Sequence, residues 1–226
     1  MKKSDYELFE GFMKNCMTDS AHDTEHIYRV LYNALDIAAF EESVDYNVLI
    51  CACLLHDIGR AEQLDDPSLD HARIGAEKAR GFLTRNGFDA GFINAVCGCI
   101  ASHRFRGDNA PETVEARILF DADKLDVSGA LGIARTLMFA GSTDCPLYTL
   151  NTDGSISDGT GDEADSFFRE YRFKLEKLYS KFFTKRGEEL ARLRQKAAME
   201  FYEALLMETR APRQKGRMTL EKLLNQ

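Results

Sequence analysis

The chain has 226 residues, 44% of them hydrophobic and 29% charged, enough for one sizeable globular domain with a real core. A net charge of −8 and a pI of about 5.2 give an acidic surface that repels polyanions. A long nucleic-acid duplex is therefore excluded as the expected partner, while a small phosphorylated substrate stays open. No stretch reaches the roughly 20 apolar residues that cross a bilayer. The N-terminal MKKSDYELFEGF has no apolar signal core, so no membrane association and a cytoplasmic location are expected. The six cysteines then read as free thiols. Cys51 with Cys53 and Cys97 with Cys99 miss the usual C-x2-4-C zinc spacing and lie in apolar helical runs, which favours small buried hydrophobes over a zinc site.

Taken in order, nearly every segment predicts a helix. Residues 4–17 carry Tyr6, Phe9, Phe12 and Met13 on one face. A second helix spans about 22–42, with Asp19 and Ser20 as candidate N-caps and Ile27, Val30, Leu31, Ala34, Ile37 and Ala38 at three- and four-residue spacing. Residues 45–56 (DYNVLICACLLH) are apolar nearly all round and belong at the centre of the domain. Gly59 ends that element, and 60–70 read as a polar loop. Helices resume at about 71–86, 89–102, 112–126 and 128–140, punctuated by Gly87 and Gly107.

Residues 141–163 are rich in Gly, Ser, Thr and Asp and predict a long loop, either mobile or a lid. Two long helices follow, one bearing Phe168, Tyr171, Leu175, Leu178 and Phe182, the other Leu190, Leu193, Ala197, Phe201 and Leu205. Gly187 divides them into an expected antiparallel hairpin over 164–208. Residues 209–226 read as a basic, frayed tail. The expectation is a single all-α domain over 1–226: a helical bundle with its core at about 20–140 and a C-terminal pair of long helices, which could support a homodimer.

The chemistry gathers around five histidines. His22 and His26 are four apart on one helical face. His56 ends the buried helix and is followed directly by Asp57. His71 opens the next helix and His103 closes the one after it. A buried His-Asp dipeptide is costly unless the carboxylate is paired or bound to a metal. The alternative turns Asp57 outward at the helix end and leaves His56 as a hydrogen-bonded core residue. The acidic run Asp121-Ala-Asp123-Lys124-Leu125-Asp126 reads either as an exposed face or as a further ligand source. Asp121 and Asp123 lie on opposite sides of a helix, so at most one is expected to face the core. Imidazole and carboxylate donors suit a divalent ion of Mn, Fe, Co, Ni or Zn, and carboxylate-rich sites tolerate Mg.

DTEHIYRVLYNALDIA with His26, CLLHDIG with His56 and Asp57, and ILFDADKLD with Asp123 together resemble the HD superfamily of metal-dependent phosphohydrolases. Each motif is short; the ordered set in an all-helical chain carries the likeness, over about residues 20–140. It implies an HD-type helical bundle in which His26, His56, Asp57 and Asp123 hold one metal ion. DADKLDVSGALGIARTLMF and the terminal helices resemble a bacterial subgroup with members similar to nucleoside triphosphate pyrophosphohydrolases. LDHARIGAEKA and IASHRFRG resemble the additional histidine motifs of dinuclear HD proteins, in which Asp57 would bridge two ions and His71 and His103 would hold the second. One resemblance implies one ion and the other implies two.

Further candidates surround this set. Lys124 could neutralise phosphoryl charge, Arg104, Arg29 and Arg60 could hold phosphate, and His22 could donate a proton. Arg106 reads better as a surface residue. Glu62 or Asp65 could serve as a base. The expected function is cleavage of a phosphate ester or anhydride of a small molecule, a nucleotide, by metal-activated water. The alternatives are a diiron oxygenase of the HD type and a metal-containing protein that senses a nucleotide without hydrolysing it.

Overall fold

A computed structural model describes residues 1–17, 24–105 and 109–225. The predicted His22, with Asp19, Ser20, Asp23, Arg106 and Gly107, lies outside the described residues. The fold is all-α: among the described residues the only extended pairing is a single antiparallel bridge between Leu150 and Ile156. The chain divides into two compact units, one of Met1–Asp126 with Phe182–Glu188, the other of Val127–Lys181 with Glu189–Gln226.

In the first unit, α1 (Lys3–Cys16) buries Phe9 and Met13. Phe9 meets the rings of Phe82, Phe88 and Phe92. Helix α2 (Thr24–Ala38) buries His26 together with all six predicted apolar positions. Asp45 starts α3 (Tyr46–Leu55) by accepting from the backbone N–H groups of Asn47 and Val48 at 2.8 and 3.2 Å. This is the segment that is apolar on every side. It packs against α1, α2, α6 (Ala90–Ser102) and α7 (Val114–Asp126), so each of its faces is covered. Burying a Leu-sized side chain there contributes about 1.5–3 kcal/mol of transfer free energy.

Residues 60–70 depart from the predicted loop, because α4 (Arg60–Asp65) makes a short helix immediately after the His-Asp pair. Asp70 caps α5 (His71–Arg85) and Asp89 caps α6, which places His71 at the start of one helix and His103 at the end of the other. Gly59 lets these parts close up. A Cβ there would stand 2.4 Å from the His71 carbonyl oxygen and 2.7 Å from the Gly75 nitrogen.

Of the two acids set on opposite sides of α7, Asp121 is the one that faces the core. Asp121 and Asp126 are both fully buried, and Asp123 is half-buried. Asp121 is satisfied by the backbone N–H of Phe183 (2.9 Å), the N–H of Thr184 (2.7 Å) and the Thr184 hydroxyl (2.6 Å). It thus sits at the start of α10 (Lys185–Leu224), where a helix N-terminus favours a carboxylate.

In the second unit, α8 (Gly129–Ser142) leads into the Gly/Ser-rich loop. The loop is fastened rather than free. Thr149 and Ser157 donate their hydroxyls to Asp162. Tyr202 Oη donates to the Asp158 carbonyl, and Arg210 and Arg213 each donate Nε to the carbonyls of Ile156 and Gly154 at 3.0 Å.

The first of the two predicted long helices changes pitch along its length. It begins as α9 (Phe167–Glu170), widens into a π turn over Tyr171–Leu175 and tightens into a 3-10 turn over Leu178–Ser180. The wide turn is closed by Glu176 N–H donating to Tyr171 O at 2.8 Å, and Tyr171 stacks on Tyr202 with centroids 4.0 Å apart. The second predicted helix is longer than expected. It includes Gly187, takes in Pro212 and continues through the basic segment to Leu224. The arginines that made this segment look like a solvated tail are those that bond the loop carbonyls.

Candidate metal centre

Five buried side chains of the first unit converge: His26 from α2, His56 and Asp57 from the end of α3, His71 from the start of α5 and His103 from the end of α6. Half-buried Asp123 of α7 joins them. Their donor atoms form two groups. His26 Nε2 lies 3.3 Å from His56 Nε2, 3.4 Å from Asp57 Oδ2 and 3.4 Å from Asp123 Oδ1. His56 Nε2 is 3.7 and 3.9 Å from the same two carboxylate oxygens. On the other side, Asp57 Oδ1 is 3.2 Å from His71 Nε2 and 3.6 Å from His103 Nε2. Donors bound to one ion by bonds of about 2.1 Å stand roughly 3.0–3.5 Å apart. Each group, His26–His56–Asp123 and Asp57–His71–His103, is therefore of a size to hold a cation, with the two oxygens of Asp57 turned one to each.

The hydrogen bonds behind the rings decide what the converging atoms are. His56 Nδ1 donates to the Cys53 carbonyl at 2.8 Å, and His103 Nδ1 donates to the Ile100 carbonyl at 2.6 Å. His71 Nδ1 donates to Gln63 Oε1 at 2.5 Å, and the amide of Gln63 is oriented by its own Nε2 donating to Leu69 O. His26 Nδ1 donates to Asp126 Oδ2 at 2.7 Å. In the neutral rings these bonds place the hydrogen on Nδ1 and leave a lone pair on Nε2, the atom turned to the centre.

Burial holds His56 and His71 down to about 4, so both are neutral near pH 7. Burial also opposes a charge on Asp57, yet the imidazoles and Arg60 around it keep the carboxyl well below the usual range. Lone pairs therefore face a carboxylate. Both oxygens of Asp57 and the Nε2 atoms of His71 and His103 are buried with no hydrogen-bond partner. Such an arrangement is unfavourable by itself and is resolved by a cation between the acceptors. For His26, burial disfavours a charge, but Asp126, Asp57 and Asp123 outweigh it and raise the imidazole to about 9. The same ring of acceptors that holds a proton there suits a metal ion. The residues fit a divalent ion.

Around this centre, Arg29 engages Asp126, donating Nε to Oδ1 at 2.7 Å and Nη2 to Oδ2 at 3.1 Å, a use of its fork that the sequence did not suggest. Arg60 Nε stands 3.1 Å from Asp57 Oδ1, and Arg104 Nη1 is 3.3 Å from His71 Nδ1 and 3.5 Å from Asp70. The Lys124 ammonium lies over the Phe120 ring, 4.0 Å from its centroid. Glu62 pairs with Lys78 at 2.6 Å.

Sequence reasoning missed Gln63 and Asp126 as supports. Asp126 had a usable signal, three residues after Asp123 on one helix. Gln63, in a segment expected to be a loop, had none. The paired cysteines are buried and free. Burial pushes Cys51 and Cys53 well above the usual thiol range and Cys99 up to about 12, which disfavours the thiolate a metal requires.

The all-α fold and a His/Asp cluster suited to a divalent ion, together with the likeness to HD hydrolases, define the class, a metal-dependent hydrolase. Residues 24–128 match the family model described as the HD domain. YpgQ of Bacillus subtilis is 30% identical over 208 residues, covering 88% of this chain and 91% of that protein. The chain belongs to the HD-domain family. A predicted HD superfamily hydrolase from an uncultured Thermotogales bacterium superposes with a TM-score of 0.59 at 30% identity, over 88% of this chain and 90% of that one. YpgQ in complex with ADP superposes with a TM-score of 0.67 at 25% identity, over 88% and 97%. No helix among the described residues is long and apolar enough to cross a membrane.

Proposed function

We propose that this protein is a phosphohydrolase that cleaves a phosphate ester or anhydride of a small molecule, a nucleotide, with His26, His56, Asp57 and Asp123 holding a first divalent ion and Asp57, His71 and His103 a second. The observation that carries this reading is Asp57: buried, without a hydrogen-bond partner for either oxygen, and faced by imidazole Nε2 atoms on both sides. A bound divalent ion supplies Lewis acidity toward a phosphoryl oxygen and makes water a nucleophile near neutral pH.

The protein's own part is positioning. Gln63, Asp126 and the carbonyls of Cys53 and Ile100 hold the four rings in one tautomer. Arg60 and Arg104 stand on the His71 side, where their forks match phosphate oxygens. Lys124, next to Asp123 in the chain, is assigned the part of a further cation toward the substrate. The nucleotide reading is supported by YpgQ, which was solved with ADP.

The test is a panel of nucleoside mono-, di- and triphosphates with inorganic pyrophosphate, run anaerobically with Mn, Co or Mg, following phosphate and pyrophosphate release. The proposal expects release that stops on chelation and is absent from Asp57→Ala. Turnover that requires iron and consumes oxygen would contradict it.

A further inference from the structure

The two halves of the centre differ in the charge around them. Behind the first, His26 leans on the Asp126 carboxylate, whose charge the Arg29 fork balances, and Asp123 adds a second acid. Behind the second, His71 and His103 lean on neutral acceptors, an amide oxygen and a backbone carbonyl. The second half is also flanked by cations. Arg60 Nε is 3.1 Å from Asp57 Oδ1, the oxygen that His71 and His103 face, and that Nε is itself buried with no hydrogen-bond partner. Arg104 Nη1 is 3.3 Å from the His71 ring. A permanent guanidinium charge, that of Arg60, therefore stands beside the oxygen that a second cation would need, whereas in the first half Arg29 is taken up by Asp126 and the Asp123 carboxylate faces the centre.

Resting on the phosphohydrolase reading, we propose that the two positions fill in order, with Arg60 as the gate. The position of His26, His56, Asp57 and Asp123 takes a divalent ion on its own. The position of Asp57, His71 and His103 takes one tightly only together with a phosphate anion, which draws the Arg60 guanidinium away from Asp57 Oδ1 and balances the added charge. Arg60 is then a positioning residue that couples phosphate binding to occupancy of the second position. The two implications of the family resemblance, one ion or two, become two states of one site.

The test counts bound Mn(II) by electron paramagnetic resonance on the full chain, first stripped of metal, with and without saturating inorganic phosphate. In the unaltered protein one ion binds tightly, and phosphate tightens the second by about tenfold or more, the scale of one partly screened charge pair. The spectrum of a coupled Mn pair appears only with phosphate. Arg60→Met, which keeps the aliphatic stem, and Arg60→Gln, which keeps polar contacts, bind the second ion tightly without phosphate. His71→Ala loses the second ion under every condition.

Two ions of equal affinity without phosphate in the unaltered protein would overturn the proposal. So would Arg60 variants that still need phosphate, or a single ion under all conditions. The counts are made without turnover, so failure of the hydrolase reading shows as absent product release with the ordered filling intact. Failure of the gate shows as altered counts in a protein that still hydrolyses.

Discussion

Replacing Asp126 tests whether the support behind the metal ligands matters as much as the ligands. Its carboxylate accepts from His26 Nδ1 at 2.7 Å and from the Arg29 fork at 2.7 and 3.1 Å, and it is fully buried. Asp126→Ala removes all three bonds. Breaking a buried charge pair costs about 3–5 kcal/mol. Because the Arg29 side chain is 33% exposed and gains solvent, we expect about 2–3 kcal/mol here. Loss of such a support also weakens metal affinity by about 10–100-fold.

Asp126→Asn keeps the shape and one acceptor for His26 but removes the charge. It should cost less stability while losing most of the metal affinity. The measurements are urea unfolding of metal-free protein and Mn titration of both variants. An Asn variant with unaltered affinity would refute the argument that the carboxylate strengthens His26 as a ligand. An Ala variant of unchanged stability would refute the energetic argument.

Other perturbations separate scaffold from site. Asp121→Ala removes the acceptor for Phe183 and Thr184 and should cost about 2–4 kcal/mol in urea unfolding, with bound metal unchanged in the folded fraction. Gly59→Ala places a methyl group 2.4 Å from the His71 carbonyl oxygen and should lose about 3 kcal/mol, with metal content falling as the start of α5 is displaced. Gln63→Leu removes the acceptor that fixes the His71 tautomer. Elemental analysis after dialysis against Mn with saturating phosphate should then show loss at the His71 position only, and loss of all metal would count against the two-group arrangement. Chelation of the unaltered protein should abolish hydrolysis, and Mn or Co should restore it.

The sequence carried the helices that pack as regular amphipathic elements. The apolar face of α2 and the all-round apolar α3 are read from spacing alone, since burial follows the 3.6-residue repeat. The six converging residues were legible through the ordered motifs that resemble HD proteins; their placement alone showed only that His56, His71 and His103 stand at helix ends, where side chains of different helices can meet. What was illegible depends on distant partners. Asp121 is buried because Thr184 lies beside it, 63 positions away in sequence, and Gln63 matters only once α4 has folded over His71. The tail reads as frayed because Arg210, Arg213, Pro212 and Gly216 lower helix propensity or suggest solvent. The carbonyls of the 141–163 loop that two of these arginines engage are not visible in a local pattern. The change of pitch at Tyr171 has the same origin, a stack on Tyr202 from a later helix.

The central claim is that two cation positions share Asp57, and anomalous diffraction from crystals grown with Mn and phosphate tests it most directly. The account predicts one peak within bonding distance of His26 Nε2, His56 Nε2, Asp57 Oδ2 and Asp123 Oδ1, and a second beside Asp57 Oδ1, His71 Nε2 and His103 Nε2. A centre without a peak, or with its ion bound elsewhere in the chain, would contradict it.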